Sequence, residues 1–254
     1  MPRISAKVTC ACLLAGFALS AANASAQEAK PHWSYKGDTS PSHWSNLEPD
    51  YATCGIGKTQ SPIDIKGATP ADLPALKMDY QAVPLNIIDN GHTIQVNYPA
   101  GSTLTVGDHV YTLKQFHFHH PSEERINGKK YDLVAHLVHA DADGHLAVVA
   151  ILFSKGSANP LVDIIFKNIP AEKAKATDVS GVTIDVKELL PPSLGYYTFA
   201  GSLTTPPCSE GVTWFVLKAT DTMSAEELAT FAKHYPMNAR PLQPTNGREI
   251  KESK

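Results

Sequence analysis

The sequence predicts a mainly β fold with few helices, built as a single domain. Three observations carry this reading. Short alternating or apolar runs, separated by Gly, Asn and Asp, fill residues 85–155. Helix-start signals occur at only two places. Two histidine-bearing runs, Gln115-Phe116-His117-Phe118-His119 and Ala135-His136-Leu137-Val138-His139, flank Asn127-Gly128, a pair suited to the positive φ angles of a type I′ hairpin turn. With 254 residues, 43% of them hydrophobic and 19% charged, the chain can bury a sizeable core, and β domains of this length commonly stay undivided.

At the start, Arg3 and Lys7 precede an apolar, small-residue run from Val8 to Ala22, and Ala24-Ser25-Ala26 offers a cleavage site. Residues 1–26 are therefore expected to be a cleaved signal peptide, leaving 27–254 as a periplasmic or secreted domain. Cys10 and Cys12 leave with the leader. Cys54 and Cys208 remain, and an oxidising compartment favours a disulfide between them over two free thiols. Neither has an obvious base beside it that would make a nucleophile. His32-Trp33-Ser34-Tyr35 through Asn46 reads as a loop anchored by its aromatic rings. Gln60-Ser61-Pro62-Ile63-Asp64-Ile65 enters a short edge strand, because Pro62 cannot donate to a ladder. Strands follow at Thr93 to Tyr98, Thr103 to Val106, Val110 to Phe118, Leu133 to His139 and Leu146 to Phe153. The last two are joined by Asp141-Ala142-Asp143-Gly144. Alternation is blurred over Ala147 to Phe153, which suits a central strand buried on both faces. Asn159-Pro160 caps a helix with Leu161, Ile164 and Ile165 as its apolar stripe. Ser224-Ala225-Glu226-Glu227 is a capping box before Leu228 and Phe231. Both helices are expected at the periphery. The net charge of -3 comes with no charge block, so nothing points to nucleic acid or a membrane surface.

Strand side chains alternate faces, so His117 and His119 share one. His119 and His136 are equidistant from Asn127-Gly128. An unbroken register sets them opposite each other, with Cβ atoms roughly 4.5–5.5 Å apart, although Pro121 in the first arm invites a bulge. Three imidazoles from two rigid strands form the donor set of a catalytic zinc site with an open fourth position. His120 is unassigned. His139 points to the opposite face and reads as a buried structural histidine.

In order along the chain, Gln60-Ser61-Pro62-Ile63-Asp64, Asn90-Gly91-His92, the two histidine runs, Gly201-Ser202-Leu203-Thr204-Thr205-Pro206-Pro207-Cys208, Trp214 and Asn238-Ala239-Arg240-Pro241 resemble the α-class carbonic anhydrases. The resemblance is to exported bacterial members and spans nearly the whole mature chain. It implies a large twisted, mostly antiparallel sheet, short peripheral helices and a conical site. It also implies reversible hydration of carbon dioxide to bicarbonate by zinc-bound hydroxide, with Zn2+ on His117, His119 and His136, in a monomer or homodimer. Thr204 would accept a hydrogen bond from the hydroxide and commit its own single proton to Glu123. His92 would shuttle the proton out, along water ordered by Tyr35 and Asn90. Val138, Val148, Leu203, Thr205, Val212 and Trp214 would line the substrate site, and Cys54–Cys208 would be the disulfide of exported members. Gln115 and the Asn238 backbone would be the outer partners of His117 and His119.

One position departs from the family. A glutamate often stands two residues before the third histidine, where this chain has Val134. His136 is then expected to donate to water or to a neighbouring strand, Asp132 being too far back, and a glutamate restored at 134 to tighten zinc retention. Glu124 reads as a surface residue. Two other functions compete: a non-catalytic carbonic anhydrase-like binding module, and a cupin-like iron or manganese protein using His117, His119 and Glu123. Retention of the whole catalytic set argues against the first. Missing glycines and the closeness of His136 argue against the second.

Overall fold

The computed structural model describes residues 1–2 and 32–254, so nearly all of the expected leader lies outside the described residues. The fold is mainly β, centred on a thirteen-stranded sheet. From one side its main path runs through Thr177–Ile184, Val83–Asp89, Ile94–Asn97, His109–His119, Leu133–Ala140, Leu146–Lys155, Glu210–Leu217 and Tyr196–Ser202, then two short strands. Most neighbours are antiparallel. At the centre, however, Leu146–Lys155 lies parallel to Glu210–Leu217, with Val148 opposite Trp214.

Leu146–Lys155 explains how the sheet divides the molecule. Ala147, Val149, Ile151 and Phe153 enter one apolar cluster, while Val148, Ala150 and Leu152 enter another on the opposite face. Neither face meets water, so alternation is absent from the sequence although the period of two is intact. The first cluster also takes Leu161, Val162, Ile165, Phe166, Leu228 and Phe231 from the helices Pro160–Lys167 and Ala225–His234. Asn159 Oδ1 caps the former by accepting from the N–H groups of Leu161 and Val162. Ser224 and Glu227 form the expected reciprocal box on the latter. These two helices thus cover one face, which leaves the other for the histidines.

The hairpin departs from the simple expectation. Asn127 and Gly128 do adopt positive φ, 51° and 81°. Their arms, Arg125–Ile126 and Lys129–Lys130, leave the main sheet and join Asp64–Ile65 in a separate three-stranded one. The chain takes six steps from His119 to Arg125 but only four from Lys130 to Val134. The register therefore slips by two: His117 faces His136, and His119 faces Val134. A slip of two restores parity, so all three rings stay on one face. Near Pro121 the ladder gives way to Ser122 N–H donating to Tyr131 O and Tyr131 N–H donating to Ser122 Oγ.

Cys54 and Cys208 form a disulfide across 154 residues of sequence, tying the first loop to the segment after Thr205. Within that segment Cys208 N–H donates to Thr205 O. Gly201, near the end of the strand before it, packs against Ser61 and Trp214. A Cβ there would collide with Ser61 Oγ and the Trp214 indole.

His139 is fully buried on the helix-covered side, with Nε2 2.9 Å from Tyr80 Oη and Nδ1 3.3 Å from Ala147 O. Burial pushes its pKa down from 6.5 to about 4, against hydrogen bonds that pull it up. Unfolding frees the ring, so the unfolded chain binds more protons between those two values and stability rises with pH across the window. This ring alone is expected to cost roughly 3 kcal/mol on going from pH 6.5 to 4. Urea unfolding of wild type and His139→Asn at pH 6.5, 5 and 4 should show a shallower slope in the variant. Parallel slopes would remove His139 from the acid sensitivity.

Candidate active site

His117 and His119 project from the His109–His119 strand because Phe116 and Phe118 on the alternate positions are wholly buried in the helix-side core. His136 projects the same way from between Ala135 and Leu137. Ring centroids lie 5.0 Å apart for His117–His119, 5.5 Å for His117–His136 and 4.8 Å for His119–His136.

Each ring is held by one outward hydrogen bond. His117 Nδ1–H donates to Gln115 Oε1 at 2.8 Å, and His119 Nδ1–H donates to the Asn238 carbonyl at 2.8 Å. His136 uses Nε2, which donates to Glu124 Oε1 at 3.0 Å, with Oε2 at 3.3 Å. Glu124 is fully buried, not on the surface, and it comes from the loop after His120 rather than from water or a strand of the main sheet. The cue was the adjacent pair Glu123-Glu124 in a chain whose usual partner position holds Val134. Sequence spacing could not bring residue 124 back to residue 136, because the intervening hairpin belongs to another sheet.

The remaining ring nitrogens suit a metal. His119 Nε2 is buried with no hydrogen-bond partner among the described residues, and one ligand nitrogen from each ring lies within 4.8 Å of the others. Burial pushes His117 down to about 3 and His119 well below its usual value, so both offer neutral lone pairs at pH 7. For His136 burial acts downward too, but the charge and hydrogen bond of Glu124, helped by Glu123, leave its pKa raised. Three imidazoles with their outer N–H groups committed, the third to a carboxylate, are a donor set that suits zinc.

Glu123 is also buried, and its Oε1 accepts the Arg240 N–H at 2.7 Å. Burial raises its pKa to about 7; Glu124 adds to this, while His136, the Thr204 hydroxyl and the Arg240 N–H oppose it. Thr204, 6% exposed, is thus a direct neighbour of that carboxylate.

A cavity of 130 Å³ opens over the rings, lined by Tyr35, Asn90, His92, Gln115, His117, His119 and Thr205 among others. Tyr35 Oη is buried without a partner among the described residues. Asn90 Oδ1 accepts from His92 N–H and Thr93 N–H, shaping the loop that carries His92. His92 lies flat on Trp33, centroids 3.5 Å apart at 10°, and its Nε2 is 2.7 Å from His32 Nε2. Burial, then His32, push His92 down to about 4. His32 had no assigned role in the sequence reading. Val148, Val212 and Trp214 are buried in the cluster on this face, with Val138 and Leu203 packed against it, and Trp214 meets His136 edge-on at 5.0 Å.

Residues 39–254 match the family model described as eukaryotic-type carbonic anhydrase. The carbonic anhydrase of Pectobacterium carotovorum is 47% identical over 220 residues, 86% of this chain and 90% of that protein. The one from Neisseria gonorrhoeae is 43% identical over 253 residues, 99% and 98% of the two chains. Among solved structures, a hyperthermostable carbonic anhydrase identified from an active hydrothermal vent chimney superposes with a TM-score of 0.85 at 45% identity, covering 88% of this chain and all of that one. Family model, relatives and fold agree, and the chain belongs to the α-carbonic anhydrase family.

Proposed function

We propose that this chain hydrates carbon dioxide reversibly to bicarbonate and a proton, using Zn2+ held by His117, His119 and His136. One observation carries the reading: the outer nitrogens of all three rings are engaged, while one nitrogen from each converges within 4.8 Å on the others. Bound there, zinc would supply the Lewis acidity that makes water a nucleophile at neutral pH, for which carbonic anhydrases are the standard example.

The chain's own groups then direct the attack. Glu123, fixed by the Arg240 N–H, accepts the hydrogen bond of the Thr204 hydroxyl, so the Thr204 oxygen is left to accept from the attacking hydroxyl and aims its lone pair. Val138, Val148, Leu203, Val212 and Trp214 form an apolar wall suited to a substrate without a dipole, and Thr205 borders the cavity beside it. Tyr35 and Asn90 order water towards His92. With its pKa near 4 in this packed position, His92 is neutral at pH 7 but a weak acceptor, and the His32 ring 2.7 Å beyond gives the proton an onward partner. The proposal includes export through a cleaved leader, residues 1–26, ahead of one catalytic domain, 27–254. Among the described residues no helix is long and apolar enough to cross a membrane.

Stopped-flow hydration of carbon dioxide by the oxidised mature chain should be fast, lost on chelation and restored by zinc; folded, zinc-loaded protein without activity would sink the reading in favour of a docking module. Thr204→Ala should lower kcat/KM by about 10²-fold through misdirected attack, with zinc content unchanged. His92→Ala should lower kcat in weak buffer on the order of 10²-fold, leave kcat/KM in place and recover with added imidazole. Full turnover by that variant in weak buffer would take His92 off the proton path.

A further inference from the structure

We propose that Glu124 positions His136 for the metal, and that Glu124 and Val134 form an exchangeable pair: the carboxylate that holds the ring comes from the loop, and an apolar side chain fills the strand position that could otherwise supply it. This rests on the zinc reading above. Both oxygens of Glu124 lie within 3.3 Å of His136 Nε2, so the ring's outer N–H is committed and the opposite nitrogen is turned inward. The carboxylate is aimed by a braced loop. Ser122 Oγ donates to Glu124 O at 2.9 Å and accepts from Tyr131 N–H at 2.9 Å, which links the outgoing arm to the returning one. The next residue is held as well, Arg125 N–H donating to Ile63 O at 3.3 Å.

Val134 lies on the same strand face as His136, opposite His119, and is fully buried. Its neighbours belong to the cluster of Ile63, Ile65, Tyr131, Leu152 and Trp214, an apolar setting. A carboxylate there would join Glu123 and Glu124 as a third buried acid without a partner of its own, at a desolvation cost that nothing offsets. The expectation that Val134→Glu alone tightens zinc is therefore reversed. Glutamate at 134 helps only when 124 has been vacated.

The test measures zinc dissociation into excess chelator, together with thermal unfolding of each metal-free variant. Glu124→Ala should lose zinc about 10–100-fold faster than wild type. Glu124→Gln, which keeps an accepting oxygen and the side-chain volume, should fall between them. Val134→Glu alone should hold zinc no more tightly and melt lower. Glu124→Ala/Val134→Glu should recover part of the loss seen in Glu124→Ala. A Glu124→Ala protein that melts lower without zinc yet releases zinc at the wild-type rate would reduce Glu124 to a structural residue. A double variant no better than Glu124→Ala, or a single Val134→Glu that tightens zinc, would overturn the exchange. Wild-type protein that takes up no zinc would instead remove the metal reading, and this inference with it.

Discussion

The site depends on the register between the His109–His119 and Leu133–Ala140 strands. Three imidazoles converge only if both strands turn the same parity of side chain to the open face, and a slip of one residue would send His136 into the core. That register is over-determined. Leu133–Ala140 is paired along its whole length to Leu146–Lys155 on its other edge. Phe116, Phe118, Ala135 and Leu137 are all drawn into the cluster beneath the helices. Burying those apolar side chains is what orients the histidines, so the energy that makes the core also sets the geometry of the three rings.

Around the rings the main difficulty is electrostatic. Two consecutive carboxylates, Glu123 and Glu124, are almost fully buried, and such groups persist only when paired. Glu124 is met by His136, Glu123 by the Arg240 N–H and the Thr204 hydroxyl. Arg240 is fixed in turn: its guanidinium donates to the carbonyls of Ser61 and Cys54. Arg240 therefore joins the disulfide, the carboxylate beside Thr204 and the backbone of Ser61.

Asn238 has a comparable reach. Its carbonyl holds His119, its Oδ1 accepts from His120 N–H, and its Nδ2 donates to the carbonyls of His92 and Phe118. The loop that carries His92 is thereby tied to the strand that carries His117 and His119. Sites on rigid, mutually bonded elements hold their geometry better than sites on free loops.

Local patterns determined much of this by themselves. The period of two in Phe-His-Phe-His, the Asn-Gly turn, the Asn159 cap and the Ser224 capping box are each decided by the steric and hydrogen-bonding preferences of a few adjacent residues. They were legible because no distant partner enters into them. Tertiary structure alone decided three things. The parallel pairing of Leu146–Lys155 with Glu210–Leu217 joins strands far apart in sequence. The two-residue slip arose because the hairpin found its partner in Asp64–Ile65. Glu124 came to lie against His136 because the loop after His120 is braced on Tyr131, and a carboxylate's exposure is set by what folds over it. A residue's neighbours across space, rather than along the chain, decide whether the same glutamate is a solvated charge or the buried partner of a histidine ring.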